Sequence, residues 1–222
     1  MGKSGELLKN TAIISIGKMG TQIVNFLLLP LYTAKLATEA YGNFDYVTTV
    51  ASFLVPLMTM LMEESMFRFL IDSQTDEEKE TIISHTFLFC FVSGFIASLI
   101  IGLASWIFNY SIGYAILIYC ISSLFIALSN ALARGTGNIG LYSLSNFFVS
   151  ITIILLNLIL ILGFHQGFLA LMASACVSNV AAALFVLTKL KFWSYIDIKN
   201  YKSNTTKKML AYSIPLVPNT IS

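Results

Sequence analysis

Long apolar runs alternate with short polar ones along the whole chain. Residues 11–34, 44–66, 81–106, 113–132, 142–162 and 168–187 are apolar over most of their length, and a seventh run opens near Met209. At ~1.5 Å per residue each run makes a helix of roughly 30 Å, enough to cross a bilayer. The loops between them are short, so neighbouring helices run antiparallel. The pattern predicts an all-α integral membrane protein, a six-helix transmembrane lobe plus the start of a seventh helix.

Polar residues inside these runs are periodic rather than scattered. Thr11, Ser15, Lys18, Gln22 and Asn25 recur at spacings of three or four and share one face of the first helix. A helix with lipid all round would not carry that stripe, and a lysine near its middle costs about 2.5–3.5 kcal/mol on insertion scales. The stripe therefore turns toward protein or water, and the default reading is a cavity wall. Asp45, Thr49, Ser52, Pro56, Thr59 and Glu63 share a face of the second run in the same way. Asn146, Ser150 and Asn157 mark a weaker polar face on the fifth. Gly94, Ser98 and Gly102, and again Ala170, Ser174 and Ser178, form small-residue ladders suited to close helix packing.

Composition sharpens the class. The 222 residues are 57% hydrophobic and only 11% charged, with a mean hydropathy of +0.81; ordinary globular domains are about 25% charged. A net charge of +2 gives no reason to expect nucleic acid. The placement of the charges says more. With six crossings, eleven basic residues (Lys3, Lys9, Arg68, Lys79, Arg134, Lys189, Lys191, Lys199, Lys202, Lys207 and Lys208) fall on one side, and Lys35 alone on the other. The positive-inside rule makes the first side, and the N-terminus, cytoplasmic. Trp106, Tyr110 and Tyr114 then read as an outer aromatic belt, and residues 71–80 as an aqueous inner loop. The first run is too long for a signal-peptide core.

The domains read as a lobe over 1–187, a basic cytoplasmic linker over 188–208, and the start of a seventh transmembrane helix over 209–222. A chain that stops inside a membrane helix reads as the N-terminal piece of something longer. Cys90, Cys120 and Cys176 lie in apolar runs without metal spacing and read as small core residues. His85 and His165 read as a helix-end and a loop residue. The sequence shows no nucleophile–base pair, metal constellation or phosphate-cradling loop, so it calls for no cofactor and does not suggest an enzyme.

The order of short segments resembles a known family. GKMGTQ in the first helix, PLYT at its end, YG opening the second, RF at Arg68 and Phe69, ARGTGN after the fourth and YSIPLVPNTIS at the seventh resemble bacterial lipid-linked oligosaccharide flippases, the Wzx-type polysaccharide biosynthesis proteins. These belong to the multidrug/oligosaccharidyl-lipid/polysaccharide exporter superfamily, with the MATE drug exporters and the lipid II flippases. The resemblance implies a MATE-like lobe, half of a two-lobed carrier in the bacterial inner membrane. It also implies a cargo of undecaprenyl-diphosphate-linked oligosaccharide for O-antigen or capsule, with membrane lipids and polysaccharide polymerase machinery as partners.

Such a cargo must carry a diphosphate and sugars across about 30 Å of hydrocarbon, past cationic and amide-rich walls. Lys18, Gln22 and Asn25 supply one wall, and Arg68 and Arg134 would receive the diphosphate at the cytoplasmic ends of their helices. Asp45 and Glu63 are candidates for ion coupling or for pairing with a cation. The competing roles are structural: an ion pair or snorkelling for Lys18, topology and headgroup contact for the arginines. At the level of the whole protein the alternatives are a MATE-like multidrug or cation antiporter, for which a lysine wall is a poor match, and a membrane-embedded glycosyl- or acyltransferase.

Overall fold

The computed structural model describes residue 26, residues 29–30, 32–164, 166–195 and 203–221. Most of the first predicted span lies outside them, as do Lys18, Gln22, Asn25 and His165. Among these residues the α-helices from Thr38 onward are, in order, α1 (Thr38–Thr59), α2 (Met62–Asp72), α3 (Asp76–Ile107), α4 (Ile112–Gly135), α5 (Ile139–Asn157), α6 (Phe168–Lys189), α7 (Ser203–Ser213) and α8 (Val217–Ile221). A π-helical segment, Leu158–Gly163, extends α5, and 3-10 turns lie at Phe192–Tyr195 and Ile214–Leu216. Among the described residues α3, α4, the extended α5 and α6 are each long and apolar enough to cross a membrane, and α1 with α2 forms a fifth, broken span.

Local chemistry sets the helix ends. The Thr75 hydroxyl accepts the amide of Glu78 at 3.2 Å, and the Glu78 carboxylate accepts the amide of Gln74 at 2.9 Å. This reciprocal cap, with Asp76 and Glu77 beside it, starts α3 well before its apolar run. Asn109 ends α3 in the left-handed region (φ 50°), where the Tyr110 amide reaches back to the Ser105 carbonyl. Gly137 ends α4 in the same way at φ 79°, with the Asn138 amide on the Ala133 carbonyl.

The second span is not one helix. Met60 and Leu61 both take left-handed conformations, at φ 49° and 53°, and the axis turns by 54° between α1 and α2. No glycine marks the break. Pro56 has already removed one backbone donor from the last turns of α1, and the Thr59 hydroxyl accepts the freed Leu61 amide at 3.1 Å.

Helix α4 is central, packing against α1, α2, α3, α5 and α6. Its Ile116 and Cys120 join Val47, Ala51 and Met58 of α1 in one core, and its Leu124, Leu128 and Leu132 join Met62, Met66 and Ile83 in a second toward the other end. Gly94 of the predicted ladder lets Leu124 within 3.2 Å of where its Cβ would lie. Elsewhere along α3, Phe91, Phe95, Ile100 and Leu103 stand more than half exposed. An apolar face of that length is tenable only against lipid. The chain is an all-α, multi-pass membrane protein.

Candidate functional site

The break between α1 and α2 aims a short polar helix at the ends of α4 and α5. Glu64, Phe67 and Arg68 of α2 are neighbours at helical spacing. Gly135 admits α4 beside α2: a Cβ there would lie 2.7 Å from Leu70 Cδ1. Arg134, in the last turn of α4, thereby reaches α2. Its Nη2 donates to Glu64 Oε1 at 2.8 Å, and its guanidinium lies 4.7 Å from the Phe67 ring centroid and 5.5 Å from that of Tyr142 on α5. A cation at a helix C-terminus is also favoured by the helix dipole.

The predicted charges separate into distinct settings. Arg134 and Glu63 are brought into one neighbourhood, where Glu64 and Arg134 are the charged groups acting on the Glu63 carboxyl. Glu63 is only 6% exposed, and its Oε2 has no hydrogen-bond partner among the described residues. Arg68 stands on the exposed side of α2, engaged by Asp72 one turn on. Asp45 is exposed near the start of α1 with Thr49 and Ser52, roughly 20 Å along the helix from Thr59 at ~1.5 Å per residue. The polar face read from the sequence thus runs from open to buried: Pro56, Thr59 and Glu63 are enclosed.

Next to this cluster lies a groove of about 900 Å³ bounded by Asp72, Glu77, Glu78 and Glu80 on one side and Thr205 and Lys208 on the other. Its acids outnumber its single lysine, so the groove itself disfavours an anion.

Two polar clusters escaped the sequence reading. Asn157 Nδ2 donates to the Tyr32 hydroxyl at 2.7 Å, the Ser174 hydroxyl donates to Asn157 Oδ1 at 2.7 Å, and the Ser178 hydroxyl donates to the Ser174 carbonyl at 2.6 Å. The small-residue ladder of α6 is therefore also a hydrogen-bonding edge, and α5 turns π-helical immediately after Asn157. The second cluster docks the C-terminal segment. His85, expected at a helix end, is 2% exposed inside α3 and its Nδ1 hydrogen-bonds with the Thr206 hydroxyl at 2.8 Å. The Ser65 hydroxyl donates to the Met209 carbonyl at 3.0 Å. The hints were Asn157 on the weak polar face of the fifth run, a histidine within an apolar run and serines at helical spacing.

The fold has solved counterparts. A MATE transporter crystallised in its straight conformation superposes with a TM-score of 0.70 at 18% identity, and an outward-facing multidrug resistance MATE transporter of the MOP superfamily with 0.68 at 17%. Each match covers 96% of this chain and 52% of the transporter, so the chain spans about half the length of these solved relatives. A protein of the Lsg locus of Haemophilus influenzae is 30% identical over 64 residues, which is 29% of this chain and 16% of that protein. Residues 7–222 match the family model described as Polysaccharide biosynthesis protein, and the chain belongs to that family.

Proposed function

We propose that the protein is a flippase that moves polyprenyl-diphosphate-linked oligosaccharide repeat units across the bacterial cytoplasmic membrane for surface polysaccharide synthesis. The family match over residues 7–222 carries this reading, and the MATE-type fold supports a transporter rather than an enzyme. In it residues 1–187 form one lobe, 188–208 a cytoplasmic linker and 209–222 the entry to a seventh span, with the N-terminus cytoplasmic. Lys18, Gln22 and Asn25 line the path, Arg134 and Arg68 serve the diphosphate at the inner end, and Asp45 and Glu63 carry the coupling charge. Membrane lipids and the polysaccharide polymerase machinery are its partners.

Reconstitution tests it. Vesicles holding the protein as the cell makes it should move a fluorescent polyprenyl-diphosphate oligosaccharide to the leaflet where an impermeant quencher reaches it. Movement of a cationic dye with none of the lipid-linked sugar would replace the flippase by a drug exporter. Within the same assay Lys18→Gln should abolish movement per folded molecule while Lys18→Arg retains part of it, because an ammonium in a low dielectric offsets the diphosphate charge. Full activity in Lys18→Gln removes Lys18 from the path.

A further inference from the structure

The Arg134 guanidinium lies against two aromatic rings, Phe67 and Tyr142, and is only half used along one edge. On the edge formed by Nε and Nη2, Glu64 accepts from Nη2 at 2.8 Å, while Nε is buried without a hydrogen-bond partner among the described residues. Those two N–H groups form the side-on fork that a two-oxygen anion takes together. Glu64 takes one. Its side chain is 41% exposed against 24% for Arg134, so the carboxylate is the member nearer water. An orphaned Nε–H in a low dielectric is costly, and it persists here beside an acid that leaves it unpaired.

We propose that the Nε–Nη2 edge of Arg134 is a phosphate-binding edge and that Glu64 is its placeholder, occupying half of it until substrate arrives. The proposal rests on the flippase reading, which supplies the diphosphate. A phosphoryl group brings enough oxygens to take both donors, and the displaced carboxylate moves to water. The two rings keep the fork oriented throughout, so little ordering accompanies the exchange. Because the Glu64–Arg134 pair joins α2 to α4, the same exchange removes the polar tie between the two helices while their apolar contacts stay.

The test is calorimetric titration of inorganic pyrophosphate into the protein as the cell makes it, in lipid nanodiscs at fixed ionic strength. Glu64→Gln should bind about tenfold more tightly than wild type, the scale of one charge-assisted hydrogen bond. Glu64→Asp, which shortens the placeholder but keeps the charge, should bind a few-fold more tightly and guards against a poorly folded glutamine variant. Arg134→Lys should lose the binding yet keep its thermal midpoint, since lysine still pairs with Glu64 but has no fork. Unchanged affinity in both Glu64 variants, or pyrophosphate binding by Arg134→Lys equal to wild type, overturns the proposal. Failure of the flippase reading shows elsewhere, as a wild-type protein that moves no lipid-linked sugar in vesicles. Wild-type translocation with unchanged Glu64 titrations discards the placeholder alone.

Discussion

Replacing Gly135 by alanine should loosen the contact that brings Arg134 to α2. The new Cβ would meet Leu70 Cδ1 at 2.7 Å and Leu70 Cβ at 3.0 Å. Rotation of the leucine relieves the first contact, but the second is tied to the backbone of α2, so the helices must part. Overpacking of this kind costs about 1–3 kcal/mol. Gly140 provides an internal standard: it lies near the start of α5, and nothing stands within 4 Å of its Cβ position. Alanine in place of a helical glycine gains about 0.5–1 kcal/mol at either site, so the overpacking remains as the difference between the two variants. At roughly 2–4 °C per kcal/mol for a chain of this size, Gly135→Ala should melt about 2–12 °C below Gly140→Ala. The midpoints are measured by heating fluorescent fusions in one detergent and recording the surviving monodisperse peak. Equal midpoints, or a higher one for Gly135→Ala, would refute the close approach of α2 and α4.

Two further outcomes follow from other parts of the molecule. Asn157→Leu removes two hydrogen bonds of the α5–α6 cluster and should destabilise by about 1–4 kcal/mol at ~0.6–2 kcal/mol per bond in a membrane; Tyr32→Phe, which removes one, should cost about half as much, and wild-type melting of Asn157→Leu would show the cluster to be dispensable. For orientation, cysteines introduced at Asp76 and Asn109 should react with impermeant maleimides from the cytoplasmic and outer sides respectively, and the opposite pattern would reverse the inner-end placement of Arg134.

The apolar runs located the long helices because hydropathy reports what lipid covers. Residues 113–132 became Ile112–Gly135 and 168–187 became Phe168–Lys189. The larger error, at the start of α3, arose because a capped and acidic first turn is helical yet polar, so hydropathy reads it as loop. The break at Met60 and Leu61 was hidden for a different reason: it uses neither glycine nor a proline at the joint, only two residues forced to positive φ. The candidate site residues were visible as charges in the wrong solvent. Their partners were not, since Glu64 lies 70 residues from Arg134 and periodicity carries no information across that separation. Thr206 is likewise 121 residues from His85.

The C-terminal segment follows the broken span along its length. Helix α7 packs on α2 and α8 packs on α1, with the 3-10 turn at Ile214–Leu216, around Pro215, between them. Two segmented rods therefore lie side by side, one broken at Met60 and Leu61 and the other tightened into a 3-10 turn at Ile214–Leu216. Straightening the broken span while the C-terminal segment keeps its shape would pry apart one of the two pairs. The angle at Met60 and Leu61 is thus a property shared by two stretches of chain about 155 residues apart in sequence, and mechanical work done on α7 reaches α2 before it reaches any other part of the span.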